Sequence, residues 1–380
     1  MTSTAVATLR STFSESFTAL GSDRGQDRKV VVTSWPSVPV EVVHAAGLTP
    51  VIARGSAAAT ADADKVLEAG VFPNRIRQLL QAALSGRLAH TAAIVLPRTS
   101  DVDYKAYLYL QELRRRGRAP MLPPVLLFDL LQTQGAEIPA YNMDRVRDLL
   151  ARLSKISGHE GGAEGLRAQI VHGNDARAAA RRLATLRRDP ARVSGAEMLP
   201  LLGARWSTPP ERYAGLADDA RNALAARPML PGRRVMLAGM PVDSTALHAA
   251  IEPLGAVVVD EISPFSTHEG SGSVDAAADP FAAVAKWYGT ELVTARSPGE
   301  MLMRRIEESL AGIDVVIFLL PPDDARFGWD VPRLRAVLEA RSIGHAIVRS
   351  DPECGLSESE FASIRAALGQ ASASQAVRHG

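Results

Sequence analysis

The sequence predicts an α/β protein: two doubly wound, Rossmann-like parallel-sheet domains with a helical region between them. Three observations carry this. Short apolar, β-branched runs alternate with amphipathic helical stretches through residues 29–139 and again through 231–370, with Gly or Pro at the joints. Two of the runs, 91–96 and 314–321, are almost wholly apolar, as strands covered on both faces are. Residues 140–230 lack such runs and read as helices rich in Ala, Leu and Arg.

Residues 1–28 form an N-terminal extension, rich in Ser, Thr and charge, with a weak helix over 5–20 expected on the surface or against a partner. The first strand is Val30–Thr33. Ser34, Trp35, Pro36, Ser37 and Pro39 then turn the chain into a helix that stops at Gly47, and Pro50 opens a second strand. After a loop and a short helix, Phe72, Pro73 and Asn74 start a helix through Leu84, with Ile76, Leu79, Leu80 and Ala83 on one face. The strand over 91–96 ends at Pro97. The helix after it closes at Gly117, with three arginines in its last turn where the helix dipole favours cations. A strand over 121–129 completes this domain.

In the middle region the pairs Arg181, Arg182 and Arg187, Arg188 invite a phosphate or nucleic-acid reading. Acidic neighbours and the lack of an aromatic stripe favour solvated helix faces. The glycine-rich stretch 158–165 follows a helix and not a strand, so it is a linker and not a dinucleotide-binding fingerprint. The second domain is read as strand 233–239, turn 240–244, a helix capped by Ser244 and stopped by Gly255, strand 256–262 and a long loop over 263–280. Helices over 281–293 and 298–313, a strand, the exit loop 321–327, a helix over 331–343, strand 344–350 and helix 357–370 follow. Residues 371–380 are expected to be a frayed tail.

A formal net charge of +1 gives no reason to invoke nucleic acid or an anionic membrane. No apolar run approaches the roughly 20 residues that span a bilayer, and the first residues lack a charged end followed by an apolar core. The expectation is a soluble, cytoplasmic protein. A single cysteine, Cys354, excludes an internal disulfide framework and any cysteine-based metal site made by this chain alone, since an iron-sulfur cluster takes about four thiolates. The eight histidines show no metal-ligand spacing, so no metal is expected.

Chemistry is expected at three strand exits, 34–37, 97–101 and 321–327. There the free N–H groups of the next helix suit an anion or a carbonyl oxygen, although a well-capped turn has the same appearance. Ser37, Glu41, Ser100, Asp101 and Asp324 are the candidate acid, base and hydrogen-bonding groups. Glu41, in the first turn of its helix, equally suits the dipole. His268 with Glu269 in the long loop is a second candidate pair. Tyr104 and Lys105 suit either a ligand phosphate or a solvated helix face.

The pattern Pro39-x-Glu41 followed by Ala46-Gly47-Leu48-x-Pro50 resembles the start of subunits of the 2-hydroxyacyl-CoA dehydratase and benzoyl-CoA reductase family. The helix around Arg75, Lys105-Ala106-Tyr107 and the Gly239-Met240-Pro241 turn follow in the family's order. In that family three cysteines hold an iron-sulfur cluster, and their places here fall on Trp35, Ser100 and Asp324, the last with a possible one-residue slip to Asp323. Trp has no acceptor lone pair, a neutral Ser hydroxyl is a poor ligand, and one carboxylate cannot hold a cubane, so these positions are not expected to ligate. The resemblance implies a cluster-less subunit of a heteromeric dehydratase-like or reductase-like enzyme with anaerobic-type electron transfer. It would contribute acyl-CoA pocket and interface to a homologous, cysteine-bearing partner that carries a 4Fe-4S cluster, served by a separate ATP-dependent activator. The alternative is a cluster-free, homodimeric CoA-ester or small-anion binding protein on the same fold.

Overall fold

The computed structural model describes residues 3–378 except 22–28, 69, 134, 241, 264–271, 293, 295, 297–298, 321–323 and 325–326, with the backbone alone at 370–378. His268, Glu269 and Asp323 lie outside the described residues.

Two four-stranded parallel sheets organise the chain. The first joins β1 (Val30–Thr33), β2 (Thr49–Ile52), β3 (Ala93–Pro97) and β4 (Val125–Phe128) in the order β2-β1-β3-β4. The second joins β5 (Arg233–Gly239), β6 (Ala256–Glu261), β7 (Val315–Leu319) and β8 (Gly344–Val348) in the order β6-β5-β7-β8. The topology is therefore repeated although the sequences are unlike. In each sheet the order reverses beside the first strand, between β1 and β3 and between β5 and β7, and such reversals open a crevice at the carboxyl edge.

Side chains alternate across each sheet, as the period of two requires. Val32, Ile94 and Leu96 face a core made with α3 (Ala61–Asp64), α4 (Asn74–Leu84) and α5 (Asp101–Arg115). Val31 and Val95 face the other core, with α2 (Val40–Ala45), α6 (Ile138–Ser157), the start of α7 (Ala163–Arg188) and α11 (Pro280–Lys286). The chain thus leaves the second sheet after β6 to cover the first. Trp287 and Tyr288, in a π-helical turn continuing α11, are buried in that same core, so the helix read over 281–293 ends in a different geometry.

On the second sheet, Val235, Val258 and Ile317 pack with α8 (Gly195–Gly203), α9 (Pro210–Leu224), α10 (Ala246–Ile251) and α14 (Glu358–Arg378). Met236, Val259 and Phe318 pack with α12 (Gly299–Ser309) and α13 (Phe327–Ala340).

Four expectations are corrected. The N-terminal helix, α1 (Thr4–Glu15), buries Val6, Leu9 and Phe13 in the core with α8 and α9, because its apolar residues fall on one stripe. The helix read as starting near Pro332 begins at Phe327, and Pro332 lies inside it. The alanine-rich end of the chain continues α14 to Arg378, as its helix propensity favours. Arg187 and Arg188 are not on a solvated face: Arg187 is 1% exposed, with Nη1 2.6 Å from Glu261 Oε1, and Arg188 pairs with Asp260. Their partners lie more than 70 residues away, so no local pattern announces them. Arg182, paired with Asp218 at the surface, does match its reading.

A cavity between two carboxyl edges as the candidate functional site

The carboxyl ends of β1 and β3 face those of β5, β7 and β8 across a cavity of about 370 Å³. Its first wall is fixed by local chemistry. Thr33 Oγ1 accepts from the Trp35 N–H at 3.2 Å and donates to the Trp35 carbonyl at 2.8 Å, which sets the turn after β1. Trp35 lines the cavity and lies under the buried Arg75, whose guanidinium carbon is 4.7 Å from the ring centre. Ser100 is the N-cap of α5: its Oγ accepts from the Asp103 N–H at 3.2 Å, and its hydroxyl donates to Asp103 Oδ2. Asp103 Oδ1 also accepts from Ser34 Oγ at 2.7 Å, and Arg75 Nη2 approaches both carboxylate oxygens at 3.4 Å. Buried at 1% exposure, this carboxylate has its charge and its lone pairs matched inside the wall.

The second wall comes from the exits of β5, β7 and β8. At Gly239 (φ 93°) a Cβ would lie 2.4 Å from the Leu319 carbonyl oxygen, so only glycine lets these two strand ends meet. Met240 and Asp243 follow. Asp243 Oδ2 accepts from the Gly55 N–H at 3.3 Å and so ties the walls together. Burial lowers the nearby Arg54 to about 10, against the pull of Asp243 and Glu353. Asp351 accepts from the Glu353 N–H at 3.0 Å; burial raises its carboxyl above the ordinary range, and Asp243 adds to the rise.

The sequence-predicted residues divide. Trp35 and Ser100 line the cavity. Ser37 is buried behind it, 3.1 Å from the hydroxyl of Thr99, which does line it. Asp324 caps α13, accepting from the N–H groups of Phe327 (3.0 Å) and Gly328 (2.8 Å), and Phe327 reaches the cavity. Glu41 lies away from it, buried against Arg177 Nη1 (2.7 Å) and the Tyr288 hydroxyl (2.8 Å). Burial pushes the Glu41 carboxyl up, but the Arg177 charge and these hydrogen bonds outweigh it and hold it below the ordinary range. Asp101 is exposed and pairs with Arg296 at 3.2 Å. Tyr104 stacks under Arg98 and beside Tyr107, and neither it nor Lys105 lines the cavity.

As a donor set for an iron-sulfur cluster these residues do not fit. Trp35 offers a ring face, the Ser100 hydroxyl is spent on Asp103, and both Asp324 oxygens are spent on a helix end. Among the described residues no group of three or more His, Cys, Asp and Glu could hold a metal ion, and no helix is long and apolar enough to cross a membrane.

The sequence profile described as "2-hydroxyglutaryl-CoA dehydratase, D-component" matches residues 37–353. The chain belongs to this family. No curated protein was found to be similar to it. A D-component is one part of a multi-component enzyme, so the dehydratase family works with a partner. The match takes in lining residues of both walls, from Gly70 to Glu353, and Trp35 lies just before it.

Sequence reading missed Arg77, Asp103, Asp243 and the whole β8 exit, Arg349 to Glu353, all of which line the cavity; Thr99 falls in the exit 97–101 that it did select. The available signal was the end of the last strand: four of the eight parallel strands ended at loops never weighed as sites, and β8 neighbours the reversal in strand order.

Proposed function

We propose that the chain is a cluster-free subunit of a heteromeric 2-hydroxyacyl-CoA dehydratase-like or benzoyl-CoA reductase-like enzyme. Its cavity receives an acyl-CoA thioester, and its surface meets a homologous, cysteine-bearing subunit that carries the 4Fe-4S cluster. The observation that carries this reading is that Trp35 and Ser100 line one cavity; the sequence resemblance assigns these two positions to the family's cluster cysteines, and their side chains cannot replace thiolates. In this reading the stacked Trp35–Arg75 pair and the capped Ser100–Asp103 pair keep the shape of the pocket without a redox centre. The candidate roles of Ser37, Glu41, Asp101 and Asp324 then become supporting ones: Ser37 and Asp324 hold a turn and a helix end beside the cavity, Glu41 fastens α2 to α7 away from it, and Asp101 pairs with Arg296 at the surface.

The test is purification from the cells that make the protein, followed by iron and acid-labile sulfide analysis of the chain and its companion. A homologous companion holding all the iron supports the reading. Iron in the isolated chain, or a homodimer with no companion, overturns it; the latter leaves a CoA-ester or small-anion binding protein on the same fold.

A further inference from the structure

Among the described residues three arginines line the cavity, and two are already neutralised. Arg75 is held by Asp103 and Trp35, and Arg77 pairs with Asp64 and donates Nε to the Phe72 carbonyl at 3.2 Å. The guanidinium of Arg349 has no hydrogen bond or ion pair among the described residues. It is not on a loose loop. The segment from Arg349 to Ser357 is wrapped around the carboxylate of Glu360, which is 8% exposed. Glu360 Oε1 accepts from the N–H groups of Arg349 (2.6 Å) and Ser350 (2.8 Å). Its Oε2 accepts from the Ser350 hydroxyl (2.6 Å) and from the N–H and hydroxyl of Ser357 (both 2.7 Å). An internal anion therefore organises five donors, and the arginine beside them, exposed to solvent, lines the cavity. A planar guanidinium with both edges open matches a carboxylate or a phosphate.

We propose that Arg349 is the anion-recognition residue of this cavity, positioned by Glu360, and that the ligand bound there carries a carboxylate or phosphate group. The inference rests on the reading of the cavity as an acyl-CoA site and narrows it to the part of the ligand that bears the charge. That group is either a carboxylate at the far end of the acyl chain or a phosphate of the CoA. The acidic neighbours Asp243, Asp351 and Glu353 set a cost for any anion that does not reach the guanidinium.

Isothermal titration calorimetry of the full chain with glutaryl-CoA, butyryl-CoA, glutarate and inorganic phosphate tests it, with Arg349→Gln and Arg349→Lys as variants. If the charge is acyl, the native chain prefers glutaryl-CoA at least tenfold, and Arg349→Gln removes that preference alone. If it is a CoA phosphate, the variant weakens both esters tenfold or more, and phosphate competes. Arg349→Lys falls between in either case. Unchanged binding of both esters by Arg349→Gln overturns the inference and leaves the acyl-CoA reading standing. Failure of the native chain to bind either ester overturns that reading; Arg349-dependent binding of glutarate or phosphate then still supports the inference, and its absence overturns it.

Discussion

The two halves of the molecule share a strand order but treat their buried charges differently. Both are fastened to the long helix α7 by an arginine: Arg177 to Glu41 in the first half, Arg187 to Glu261 in the second. The first fastening is nearly complete: Glu41 also receives the Tyr288 hydroxyl and Arg177 Nη2 donates to Asn174 Oδ1 at 2.7 Å, and only Arg177 Nε lacks a hydrogen-bond partner among the described residues. The second leaves more loose ends: among the described residues Glu261 Oε2 and both ring nitrogens of the fully buried His248 lack hydrogen-bond partners, although His248 Nε2 is 3.4 Å from that oxygen. Burial raises the Glu261 carboxyl, and the charges of His248 and Arg187 outweigh it, so it stays below the ordinary range. The same contrast appears at the cavity, where the first wall pairs its charges and the second leaves Arg349 open. One half is built as finished scaffold; the other keeps capacity in reserve.

The largest effect that would break this comparison comes from Arg177→Met. It strands the Glu41 charge in the core, and breaking a buried pair from one side costs about 3–5 kcal/mol. Arg187→Met should cost at least about 1 kcal/mol less, because the His248 ring, with Nε2 3.4 Å from Glu261 Oε2, stays beside the stranded carboxylate. Urea unfolding of the two variants decides; an equal or larger loss for Arg187→Met removes the contrast.

Next comes Glu360→Gln, expected to cost about 2 kcal/mol at neutral pH through lost charge-assisted hydrogen bonds. Burial raises the Glu360 carboxyl, but the bonds from Ser350 and Ser357 bring it down to about 2. A depressed carboxylate stabilises the fold above its unfolded value, near 4.5, and that contribution is lost as pH falls toward about 2. The gap between native and variant chains should therefore shrink over this window, which thermal melts at stepped pH will show.

Tyr288→Phe should cost about 1.5–3 kcal/mol, since it removes a hydrogen bond to a charged group while Arg177 remains. The smallest effect is expected for Ser100→Ala, about 1 kcal/mol from a lost N-cap, measured by the same unfolding.

Most of the fold was legible because its signals are local. The β-branched run at 30–33, the all-apolar run ending at Pro97 and the stops at Gly47 and Gly255 each announce an element within a few residues. The resemblance carried by Pro39, Glu41 and Gly47 led to the same family as the profile match. The site was half legible. Trp35 and Ser100 follow strands directly and could be found, whereas Arg349 depends on a carboxylate eleven residues later and on a wall contributed by the other half. Arg187 was misread for the same reason: a charged residue among charged neighbours looks solvated until its distant partners are known.

The spacing of the two fastenings along α7 has a mechanical consequence. Arg177 and Arg187 are ten residues apart on one continuous helix, about 15 Å at the usual rise per residue. A stiff rod gripped at both points works like a fixed calliper: it sets the gap between the opposing jaws and resists a hinged, clam-like embrace. Guests would then be sorted by reach, by whether a molecule is long enough to touch both sides at once.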